Sequence, residues 1–184
     1  FNKLTLETKN SKIYVEDTLS EEFISITKNA VIDLTGVNST KIMADTKNSK
    51  VVANYLIGKD INISTKNSMI DVKNIKAERL GVHTTNGKIM LENVQPFNSS
   101  NEINLLLRTR NSDIKVNMND SENTGYKVCA RTSNGDINLL IPGLLYKNLQ
   151  STYGSNRQAE AETENYGNSL RRVNINAETL NGFI

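Results

Sequence analysis

His83 and Cys129 are the only histidine and the only cysteine in the chain, and a nucleophilic or metal-assisted mechanism would look to them first. Each stands alone, without the second ligand or base that would turn a surface side chain into a site. One cysteine also excludes an internal disulfide and any multi-cysteine metal centre. Asp33 and Asp71 share a place in the repeat described below, but Tyr14, Val52 and Met90 occupy that place in the other copies. Repeat-built calcium sites need dense Gly and Asp at every turn, which is absent. Glycoside cleavage needs two or three carboxylates gathered on one groove, usually with Lys or Arg, and no column of clustered acids exists. Trp is absent and aromatics make up 5%, which speaks against sugar stacking. No catalytic residue, metal ligand or cofactor site is therefore expected. The side chains that recur at fixed spacing are cations: Lys9, Lys28, Lys47 and Lys66, nineteen residues apart, with Arg110 later.

Those lysines sit inside a repeat, Thr-x-Asn-(Ser/Gly/Ala)-x-(Ile/Val). Its copies start at Thr8, Thr27, Thr46, Thr65 and Thr84, then at Thr109, Thr132 and Thr179, so the interval is 19 four times and afterwards 25, 23 and 47. Aligned on the Thr, the chain resolves into apolar columns. Four residues before it stand Leu4, Phe23, Ile42, Ile61, Leu80, Leu105, Val128 and Ile175. Two before it the column is mostly aliphatic and includes Ser25 and Ala44. Five after it stand Ile13, Ile32, Val51, Ile70, Ile89, Ile114, Ile137 and Ile184, and seven after it Val15, Leu34, Ala53, Val72, Leu91, Val116 and Leu139. Period-2 alternation on both sides of a short polar corner, rich in β-branched residues, reads as strand, corner, strand. A further column, Val37, Leu56, Ile75 and Val94, lies beyond a second corner marked by Gly36, Asn74 and Asn93.

The expected fold is an all-β single domain over residues 1–184. It is a β-solenoid of about eight coils in which residues 19 apart stack at about 4.8 Å. An antiparallel meander or sandwich is the rival, since Asn-Gly and Asn-Ser also favour hairpins. In the solenoid the motif asparagines Asn10, Asn29, Asn48, Asn67, Asn86, Asn111, Asn134 and Asn181 share the inward parity of the Thr and form a structural corner, bonding along the stack. The small residue after each is expected to serve a φ > 0 turn. Residues 142–169, with Tyr146, Tyr153 and Tyr166, break the repeat and read as an excursion loop, ordered or disordered.

Surfaces carry the functional expectations. With 22 basic and 20 acidic residues the charge is +2, which gives no case for nucleic acid. Stacking would line Lys9, Lys28, Lys47 and Lys66 along one edge, a repulsive row that an anionic partner would relieve. Ile24, Ile26 and Met43, with Leu106 further along, form an outward apolar patch suited to self-association or to docking another domain. No run of residues is apolar enough for a membrane helix. The start at Phe1 and the end at Ile184, partway through a repeat copy, suggest a segment excised from a longer protein, its leader or anchor out of view.

The recurring motif, above all Thr84-Thr85-Asn86-Gly87-Lys88-Ile89 and Thr132-Ser133-Asn134-Gly135-Asp136-Ile137, resembles the bacterial adhesin-type β-strand repeat family DUF4097, also called the toastrack domain. The resemblance covers essentially the whole chain. It implies a right-handed β-solenoid carried outside the membrane behind an N-terminal anchor, in proteins linked to cell-envelope stress, with no catalytic residues to carry over. The chain differs in preferring Lys-Asn-Ser in its first half where Asn-Gly is typical. The expected role is thus a non-catalytic module of the bacterial cell envelope, structural or recognising. Its partner would be an anionic envelope polymer or another envelope protein. A polysaccharide-active β-helix enzyme is the alternative.

Overall fold

A computed structural model of the chain describes residues 1–97, 100–119, 123–134, 136–137, 140–151 and 156–184, without the side chains of 149–151. Leu139, Gly135 and Tyr153, which figured in the expectations above, lie outside the described residues. Alternating sequence has become alternating burial in strand after strand: β3 (Leu19–Thr27) from Phe23 onward, β5 (Asn38–Thr46) from Ile42 onward and β7 (Asp60–Thr65) throughout bury every second residue.

Two sheets face each other across one core. The larger has ten strands, in the order β1 (Lys3–Thr8), β3, β5, β7, β9 (Arg79–His83), β11 (Glu102–Arg108), β16 (Arg171–Thr179), β13 (Thr124–Thr132), β15 (Arg157–Thr163) and β14 (Leu144–Ser151). The smaller has six: β12 (Ile114–Asn117), β10 (Ile89–Pro96), β8 (Ile70–Ala77), β6 (Val51–Asn54), β4 (Ile32–Thr35) and β2 (Ile13–Glu16). Through the first five copies every pairing is parallel and in register at 19 residues, as in Phe23↔Ile42↔Ile61 and Ile32↔Val51↔Ile70. Stacking has therefore replaced the antiparallel meander in the repeats, and the chain is all-β and solenoid-like. The expected columns are the core: Phe23, Ile32, Leu34, Ile42, Leu56, Ile70 and Ile75 are all fully buried, each contributing roughly 1.5–3 kcal/mol on the area scale.

The motif threonines point inward as expected. Thr46, Thr65 and Thr84 are buried, and each donates its hydroxyl proton to a carbonyl of the neighbouring corner, Ala30 at 3.2 Å, Ser49 at 2.9 Å and Ser68 at 3.3 Å. The asparagines do bond along the stack, amide to amide: Asn29 to Asn10, Asn48 to Asn29 and Asn67 to Asn48, each at 2.8 Å. Their parity differs from expectation. All eight are exposed, because the corner interrupts the pleat and turns the ladder to the outside.

Three further expectations are corrected. Left-handed backbone does not follow the motif Asn. It lies at the second corner, nine residues after the Thr, where Asp17, Gly36, Tyr55, Asn74 and Asn93 all have φ between 48° and 68°. Where the small residue of the motif is Gly87 or Gly182, it serves close approach instead. A Cβ on Gly87 would overlap the Ser68 carbonyl, and one on Gly182 would overlap that of Ser112. The segment 142–169 is also no loop. It holds β14, β15 and a short 3₁₀ turn, Tyr166–Asn168, and β15 pairs antiparallel with β13 and with β14. Finally, the late copies do not stack in chain order. β16 enters between β11 and β13, parallel to both, so the ladder runs from Asn111 to Asn181 and then to Asn134.

Candidate functional site

Each lysine of the expected edge follows directly on a strand end, Thr8, Thr27, Thr46 or Thr65, where the chain leaves the large sheet. Their backbones are rungs of the same ladder: the amides of Asn29, Asn48 and Asn67 donate to the carbonyls of Lys9, Lys28 and Lys47 at 3.0–3.1 Å. Parallel stacking thus spaces the four side chains at about one strand interval, 4.8 Å. All four are exposed, and among the described residues none meets a carboxylate within ion-pair distance. Elsewhere on the surface Lys3, Lys12, Lys41 and Lys73 do. At the next two rungs the edge continues through Thr85 to Arg110.

The outer face of the large sheet shows how this chain handles charge when it stacks. Five residues before the motif Thr the column reads Lys3, Glu22, Lys41, Asp60, Arg79, alternating in sign from strand to strand. Glu22 bridges Lys3 at 3.0 Å and Lys41 at 3.4 Å, and Arg79 grips Asp60 with two nitrogens. Lys3 first, then Lys41, holds the Glu22 carboxyl below its usual range, and Arg79 does the same for Asp60. The Lys9–Lys66 edge has no such alternation, so its repulsion is left to solvent or to a partner.

The apolar patch is smaller than expected. Ile24 and Met43 are register neighbours, Ile24 and Ile26 are half-buried, and Met43 is 37% exposed. Leu106 belongs to the same column but stands beyond Asn62 and Gly81. Leu106 lines a groove of about 670 Å³ that runs from Asn62 and Gly81 across to the half-buried Cys129, with Asp60, Arg79, Lys127 and Tyr166 along it. The Asn62 side chain covers Gly81, its Oδ1 lying 2.6 Å from where a Cβ would stand.

Sequence reasoning missed a second basic feature. Where parallel strands give way to the hairpin, a groove of about 920 Å³ is lined by Arg108, Arg110, Arg131 and Arg157, with His83, Thr85, Ser133 and Gln158 around them and Glu178 as its carboxylate. His83, expected to be an isolated surface side chain, is the register neighbour of Arg108. These residues come from copies at unequal intervals and from β15, so no fixed spacing announces them; the alternation of Gln158-Ala159-Glu160-Ala161-Glu162-Thr163 was the available signal for that strand. Among the described residues no group of three or more His, Cys, Asp or Glu could hold a metal ion, and no helix is long and apolar enough to cross a membrane.

Comparison with curated proteins and with solved structures finds no match. The family model described as Toastrack DUF4097 matches residues 1–179, so the first seven repeat copies, the inserted strand and the hairpin fall within it. The chain belongs to the Toastrack DUF4097 family.

Proposed function

We propose that this chain is a non-catalytic recognition module of the bacterial cell envelope, displayed outside the membrane, that docks through Lys9, Lys28, Lys47 and Lys66 onto an anionic envelope polymer. One observation carries the reading: four ammonium groups, without an ion pair among the described residues, follow one another at strand spacing, whereas the charged column six residues earlier on the same sheet pairs its charges by alternation. A rigid row of cations suits a flexible polyanion, because the scaffold has already met the cost of bringing the charges together. Placement outside the membrane rests on what kinship with toastrack repeats implies. The apolar patch at Ile24, Ile26 and Met43 offers a second contact, with a further copy or another envelope protein.

Binding of the full chain to teichoic acid, compared between wild type and the K9Q/K28Q/K47Q/K66Q variant at low salt, tests this. At about 0.5 kcal/mol for each exposed charge, the variant should bind roughly 30-fold more weakly. The wild-type affinity should also fall as salt screens the row. Undiminished binding by the variant would sink the proposal. Hydrolysis of an envelope polysaccharide by the purified chain would instead favour the enzymatic alternative.

A further inference from the structure

We propose that the arginine groove between β9 and β15 is a phosphate-binding site, taking the phosphomonoester or phosphodiester group of an envelope molecule. It goes beyond the lysine-edge reading and does not depend on it, since different side chains carry it.

Register places the donors. Across five neighbouring strands one row reads His83, Arg108, Glu178, Arg131, Gln158, and two residues further along a second row reads Thr85, Arg110, Leu180, Ser133. Glu178 occupies only Arg108, at 3.1 Å, and Arg157 is paired with Asp136. Arg110 and Arg131 have no ion pair among the described residues, and the hydroxyls of Thr85 and Ser133 make no hydrogen bond there. The floor does not compete for a ligand, because Thr109, Thr132 and Thr179 already donate their hydroxyl protons to the carbonyls of Gly87, Gly182 and Ser112.

With Arg108 and Arg157 neutralised by Glu178 and Asp136, Arg110 and Arg131 leave the groove a net positive charge that favours anions. Its geometry selects among anions. A carboxylate is planar and is satisfied by one guanidinium fork, whereas a phosphate presents oxygens in several directions. Here the two guanidinium groups without an ion pair, Arg131 on β13 and Arg110 just past the end of β11, stand on either side of β16, with the hydroxyls of Thr85 and Ser133 beside them. That arrangement offers donors to a tetrahedral group from several directions, and Leu180, 40% exposed between Arg110 and Ser133, can lie against the carbon skeleton of an ester.

Amide chemical shifts of the full chain, titrated with inorganic phosphate, should move at Thr85, Arg110 and Ser133 and saturate. The R110Q/R131Q variant, altered at exposed positions, should bind phosphate about tenfold more weakly, as expected for two charge-assisted contacts discounted for solvent. Removing the competing carboxylate with Glu178→Gln should tighten binding several-fold, a gain that misfolding cannot mimic. The four-lysine variant should keep its phosphate affinity within about twofold, so loss of the edge and loss of the groove read out separately. Poly(glycerol phosphate) and phosphatidylglycerol vesicles distinguish a polymer from a lipid source: whichever depends on Arg110 and Arg131 supplies the natural group. The proposal is overturned if shifts fall outside the groove, if polygalacturonate binds there as tightly as phosphate, or if neither phosphate source responds to R110Q/R131Q.

Discussion

Replacing Gly87 by Ala adds one methyl group at the tightest corner of the stack. That Cβ would overlap the carbonyl carbon and oxygen of Ser68 and come within 2.9 Å of the Met69 nitrogen. Ordinary contact between such atoms begins near 3.5 Å, so the two corners must part by about 2 Å. Three bonds depend on their present spacing: the Asn86 amide to the Lys66 carbonyl at 2.9 Å, the Asn86 side chain to Asn67 Oδ1 at 2.9 Å, and the Thr84 hydroxyl to the Ser68 carbonyl at 3.3 Å. At about 1 kcal/mol each, their loss costs about 3 kcal/mol. In a domain of this size, that lowers the Tm by roughly 6–12 °C. Thermal unfolding followed by circular dichroism measures the shift. Ala30→Gly, at the equivalent place in the second copy, is the control; it loses only the smaller backbone-entropy contribution, at most about 1 kcal/mol. If Gly87→Ala unfolds within about 2 °C of the wild type, close approach is not what keeps this position small.

Asn48→Ala removes a middle rung that donates to Asn29 and accepts from Asn67, each at 2.8 Å. Because the ladder is exposed, water replaces the lost partners, and denaturant titration should register only about 1 kcal/mol; a loss above about 3 kcal/mol would contradict a solvent-exposed role. Tyr55 holds φ +53° and is 58% exposed, so Tyr55→Asn should stabilise by roughly 0.5–1 kcal/mol, Asn tolerating the left-handed region that Tyr resists. No gain in denaturation midpoint would refute it. Acid should weaken the fold through the alternating column. Glu22 and Asp60 have depressed folded-state values, held down first by Lys3 and Arg79, so their contribution is present above the ordinary carboxylate range, near pH 4, and is lost as the pH falls through the depressed values. Stability profiles should therefore drop below about pH 4, less so in Arg79→Gln, and equal stability at pH 5 and pH 3 would exclude the column as the cause.

The core was readable because burial in strands has a period of two, and a stacked repeat writes the same alternation many times. Thr27, Phe23 and Ile32 could be placed inside from their columns alone. What escaped obeys other physics. Asn29 lies outside because a corner breaks the pleat, which parity counting assumes to be continuous. The left-handed corner was marked at Gly36, Asn74 and Asn93, and Asp17 is also of a type that tolerates it, but Tyr55 carries the same backbone without a usual residue type. In β15 the buried positions are Ala159, Ala161 and Thr163, whose small side chains give little hydropathy contrast against Glu160 and Glu162. The place of β16 could not be read at all. Its motif matches every other copy, so nothing local distinguishes a strand that follows β13 from one that enters beside β11. The arginine groove was hidden for the same reason, since it exists only once β16 brings Glu178 between Arg108 and Arg131.

Insertion of β16 also governs the order in which the molecule can be built. During synthesis, β11 and β13 emerge long before the strand that joins them, and the contact between Asn181 and Asn111 spans 70 residues. Assembly from the first copies can zip forward only as far as β11. There it waits with an unsatisfied row of amides and carbonyls until the last strand arrives, the slow, long-loop step of the whole process. Until then the vacancy is a template for any parallel strand of the same pattern, and the last strand of a second molecule fits it as well as the chain's own. Crowding of newly made copies thus turns one intramolecular keystone into a route to strand-exchanged dimers.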